Sequence, residues 1–139
     1  MSRTCPRTDA LDCGRYQHRD CLWGAIAALN GLAVLPTDMR SARSEAVVKR
    51  LSDALLGAEY DFTGEHKRWL TFGVPRAWDL LSALKALAAH GYAHDARFAP
   101  LLALVLECQD AEGRWACGSV SKTWPLEKRN QPSKWVTLD

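Results

Sequence analysis

Apolar residues recur along this chain at the spacing of one helix face. In "CLWGAIAALNGLAVLP" they fall at Leu22, Ala25, Ile26, Leu29 and Leu32, one or two per turn, and predict a helix over 20–33. Asp20 stands where an N-cap belongs and Pro36 lies beyond the end. "SEAVVKRLSDALLGA" repeats the pattern with Val47, Val48, Leu51, Ala54 and Leu55, so a second helix is expected over 44–56, capped by Ser44 and stopped by Gly57. A third is expected over 78–90, with Leu80, Leu81, Leu84 and Leu87 on its apolar face and Gly91 as its stop. A fourth follows over 95–108, capped by Asp95, with Pro100 in its first turn, where a missing N–H costs little. Ser133 reads as the cap of a fifth helix.

No segment alternates with the period of a strand, so the fold class expected is all-α, built as tandem helical hairpins. The reading divides one domain, 1–139, into an irregular N-terminal segment (1–19), a first helix pair (20–57), a loop (58–77), a second pair (78–109), a loop (110–132) and the start of a fifth helix (133–139). The pairs resemble each other. Displaced by 58 positions, Leu22 falls on Leu80, Ala25 on Ala83, Ile26 on Leu84, Ala28 on Ala86 and Leu29 on Leu87. Such a period fits a helical hairpin plus a sizeable loop.

Composition narrows the picture without naming a function. The chain has 139 residues, enough for one core, and a net charge of +2, too small to argue for nucleic acid. No apolar run is long enough to span a bilayer, and "MSRTCPRTDALDC" contains no apolar signal core. Reduced thiols in the cytoplasm are therefore the expectation for the five Cys residues.

"FAPLLALVLECQDAEGRW", with Phe98, an aliphatic run, Gln109, Gly113 and Trp115, resembles the glutamine–tryptophan repeat motif of squalene and oxidosqualene cyclases. Their fold, the α/α toroid, is shared with protein prenyltransferase β subunits. A set of poorly characterised bacterial members of that superfamily carries a similar wider pattern, matched here by "CLWGAIAALNGL", "GVPRAWDLLSALKALAAHGY", "DAEGRW" and "SKTW" followed by "PSKWVTL". The resemblance implies a partial toroid of about two and a half helix pairs. It implies that Gln109 satisfies backbone groups at the end of a neighbouring outer helix while Trp115 stacks over it. Helices 20–33, 78–90 and the one from Ser133 would be inner, the other two outer. Residues near the inner-helix N-termini would then face a hollow: His18, Asp20, Cys21 and Trp23; Trp69, Phe72, Arg76, Trp78 and Asp79; Lys134 and Trp135.

An aromatic-lined hollow suits an apolar small molecule such as an isoprenoid, and ligand binding is the leading functional expectation. Catalysis is not evident, since the aspartate-rich acid motif of the cyclases is absent. The prenyltransferase zinc pattern is not reproduced, although Cys5, Cys13, His18 and Cys21 are all competent zinc ligands, spaced C-x7-C-x4-H-x2-C. Two alternatives stay open: a cyclase or prenyltransferase relative whose active site is completed by residues outside this chain, and a helical-repeat protein-interaction module. In either case, open helix-pair edges would favour self-association.

Overall fold

The computed structural model describes residues 21–60, 69–73, 79–118 and 128–138. Among them the chain is all-α, with five α-helices: α1 (Leu22–Ala33), α2 (Ala42–Leu56), α3 (Leu80–Ala89), α4 (Phe98–Leu106) and α5 (Lys134–Leu138). Two short 3-10 turns, Thr37–Met39 and Tyr92–His94, join α1 to α2 and α3 to α4.

The helix starts differ from expectation for local reasons. Cys21, not Asp20, is the cap of α1: its carbonyl accepts the first intrahelical bond, from the Ala25 N–H at 2.9 Å, and Asp20 lies outside the described residues. Ser41, not Ser44, caps α2. The two serines form a reciprocal capping box, the Ser44 N–H donating to Ser41 Oγ at 3.2 Å and the Ser41 N–H to Ser44 Oγ at 2.8 Å. α3 begins at Leu80 with Asp79 as its cap, and Trp78 lies outside the described residues. α4 begins at Phe98 rather than Asp95, because Asp95 closes a turn of its own. Its carboxylate accepts the Arg97 N–H and its carbonyl accepts the Phe98 N–H, both at 2.9 Å. Pro100 does sit in the first turn of α4. Ser133 caps α5 as expected, its Oγ accepting the Val136 N–H at 3.1 Å. Two described parts of the expected loop pair with each other: residues 115–118 run antiparallel to 130–133, joined by the Cys117 N–H to Gln131 O and the Ser133 N–H to Trp115 O.

α1 packs against both α2 and α3, and α3 packs against α4, so the first helix of each pair lies between the second helices. Leu22, Ala25, Ile26 and Leu29 of α1 and their displaced equivalents Leu80, Ala83, Leu84 and Leu87 of α3 are all buried in one core. The His90 ring, just past α3, bonds Leu29 O in the second half of α1 at 2.9 Å. The C-terminal end of α3 therefore lies beside the second half of α1. On the outside, Arg97 reaches from the start of α4 to Asp53 of α2 at 2.9 Å, and Lys49 holds the same carboxylate at 2.7 Å. The Arg40 guanidinium donates to Leu35 O and Ala33 O at the end of α1, where a cation suits the helix dipole.

The buried face of α2 is rotated slightly from the expected one. Val48, Leu51, Leu55 and Leu56 are buried, together with Ser52, while Val47 and Ala54 are half-buried. The Ser52 hydroxyl is fully buried and has no hydrogen-bond partner among the described residues.

Candidate functional site

The aromatic residues expected around a hollow divide into separate environments. Trp23 leaves the first turn of α1 half-buried, its ring centroid 6.4 Å from that of Trp69 and tilted by 46°. Tyr60, just past α2, meets Trp69 edge-on at 5.1 Å. Its hydroxyl donates to Leu55 O at 2.7 Å, and burial pushes the phenol pKa above its ordinary value. Offset and edge-on ring pairs of this kind are favoured by the aromatic quadrupole. Trp69 and Phe72 are themselves buried in the core cluster, so they fill the space between elements instead of walling an open cavity. The 69–73 segment is held by the Gly118 N–H, which donates to Phe72 O at 2.7 Å. A Cβ at Gly118 would come within 2.6 Å of the Thr71 side chain and 3.3 Å of its Cα, so only glycine allows this approach.

Asp79 stands at the head of α3. It is buried, and its carboxylate accepts the Ser82 N–H and the Ser82 hydroxyl, each at 2.8 Å, so it fixes the start of α3. Trp135 stands on α5 with 40% of its surface exposed and the Lys134 ammonium 5.1 Å from its ring centroid. Trp23 and Trp69 are thus brought together, while Asp79 caps α3 and Trp135 stands on α5. His18, Asp20, Arg76 and Trp78 lie outside the described residues.

Gln109 and Trp115 close a turn in which each side chain makes a hydrogen bond to the backbone. Gln109 and Trp115 face each other as an isolated antiparallel bridge. Gly113 turns the chain at φ 73°, a left-handed conformation that a side chain resists. Gln109 Nε2 donates to Gly113 O at 3.0 Å and so fastens its own turn. It is the Trp115 indole N–H that reaches a helix end, donating to Val105 O of α4 at 2.8 Å. The turn is tight enough for the amide N–H to find a carbonyl four residues on, inside its own turn. Asp110 accepts the backbone N–H groups of Glu112 and Arg114, and the Arg114 guanidinium bonds both acids. The Arg114 N–H at its carboxylate holds the Asp110 pKa below its ordinary value. Trp115 also donates its backbone N–H to Thr137 Oγ1 at 3.3 Å, which ties α4 to α5. Phe98 is buried at the opposite end of α4.

Three of the four zinc-competent residues, Cys5, Cys13 and His18, lie outside the described residues, and the fourth, Cys21, is buried at the head of α1. Among the described residues no group of three or more His, Cys, Asp or Glu is placed to hold a metal. Cys108 donates to Leu104 O at 3.3 Å, and burial raises its pKa. Cys117 is buried.

One feature of α4 was missed by the sequence reading. All nine of its residues are apolar. Phe98, Leu101 and Val105 are buried, whereas Ala99, Leu102, Ala103 and Leu106 are exposed. These four fall at i, i+3, i+4 and i+7, a single stripe facing away from the core. The signal was present in the absence of any polar residue over 98–106. No helix of the described residues is long and apolar enough to cross a membrane. Comparison with protein-family models, with curated proteins and with solved structures finds no match for this chain.

Proposed function

We propose that this chain is a helical-repeat docking module of α/α-toroid type, whose working surface is the outer face of α4. The carrying observation is that α4 is apolar all round yet covered on one side only. A helix of that composition is normally enclosed, because an exposed apolar stripe gains free energy when it leaves water. The outer face of α2 gives the contrast. Arg43, Glu45, Lys49 and Arg50 are exposed there, a surface suited to solvent. The toroid reading is supported by α1 and α3 lying in contact between α2 and α4, and by the turn from Gln109 to Trp115 bonded to a helix end. The test is uptake of an apolar dye such as bis-ANS. Leu102→Glu combined with Leu106→Glu is expected to abolish uptake without changing helicity. Undiminished uptake places the sticky surface elsewhere and ends this reading.

A second reading is favoured by the aromatic group Trp23, Tyr60 and Trp69: binding of an apolar, isoprenoid-type molecule at the N-terminal end of α1. Half-buried Trp23 would be its contact. Polyprenyl probes would then quench tryptophan emission in the wild type and lose that effect in Trp23→Ala. Equal quenching in both proteins excludes this site.

A further inference from the structure

We draw no further inference here: the strongest candidate, the apolar stripe along the outer face of α4, carries nothing beyond the docking reading, because nothing in the structure shows what covers it.

Discussion

Replacing Trp115 separates the two ways it holds the second helix pair. Its indole N–H donates to Val105 O at 2.8 Å, and its ring packs half-buried against the core. Trp115→Phe keeps most of the ring and removes the donor. Val105 O still accepts the Cys108 N–H at 3.1 Å, so the carbonyl is not orphaned. The cost is then that of one ordinary hydrogen bond plus a small loss of volume, about 1 to 2 kcal/mol. Trp115→Ala also loses the packing. Full burial would make that about 3 to 5 kcal/mol, and partial exposure reduces it to about 2 to 4 kcal/mol. With a urea slope of about 2 kcal/mol per molar, the midpoint should fall by about 0.5 to 1 M for Phe and about 1 to 2 M for Ala. Urea unfolding followed by circular dichroism measures both, with an unchanged slope as the check that only stability has altered. A Phe variant indistinguishable from wild type would refute a structural role for the indole N–H. An Ala variant within about 0.2 M of wild type would refute the reading of Trp115 as a link between α4 and its surroundings.

Three further outcomes are expected. Ser52→Ala should raise stability by about 1 kcal/mol in urea unfolding, since it removes a buried hydroxyl without a partner among the described residues and improves helix propensity; a loss would show that the hydroxyl is bonded. Gly31→Ala, within α1 and with open space for a methyl group, should stabilise by about 0.5 to 1 kcal/mol, whereas Gly113→Ala, at φ +73°, should cost about 1 kcal/mol; thermal melts that moved both the same way would contradict these backbone assignments. Hydrogen bonds from Arg97 lower the Asp95 pKa from 3.8 to about 2, so the folded state favours the carboxylate. The stabilisation is complete above the unfolded-state value and is lost as pH falls through the folded one. The midpoint difference between wild type and Asp95→Asn should therefore be constant above about pH 4 and vanish near pH 2; a gap that persists at pH 2 would assign Asp95 a role other than its ion pair.

What was legible in this sequence was periodic, and what was not depended on choosing among neighbours. The spacing of Leu22, Ala25, Ile26 and Leu29 identifies a buried face because any helix with that spacing must cover it, and the same holds for Leu80 to Leu87. The α2 cap was misplaced by three residues for a specific reason. Ser41 and Ser44 each accept a hydrogen bond from the other's backbone, so either serine alone looks like a cap. Only the extended backbone of Ser41, at ψ 161°, separates them. A lone acid before a helix fits both a ligand site and a cap, and only its bonds to Ser82 show that Asp79 caps α3.

The turn from Gln109 to Trp115 makes the same point about partners. Residue types at fixed spacing bring an amide, an indole and a helix end close together, but which donor reaches the helix is decided by reach. The amide is captured by Gly113 O within its own turn, and the longer indole extends to Val105 O. α4 is the limiting case. With nine apolar residues in a row it has no polar side from which a pattern could be read, and only the packed structure distinguishes the side that α3 covers from the side that carries Ala99, Leu102, Ala103 and Leu106. That face is where this chain departs furthest from a self-contained core. A helix that needs enclosure and receives half of it is the physical reason to look for function at its outer surface, ahead of the aromatic residues Trp69 and Phe72, which the core has absorbed.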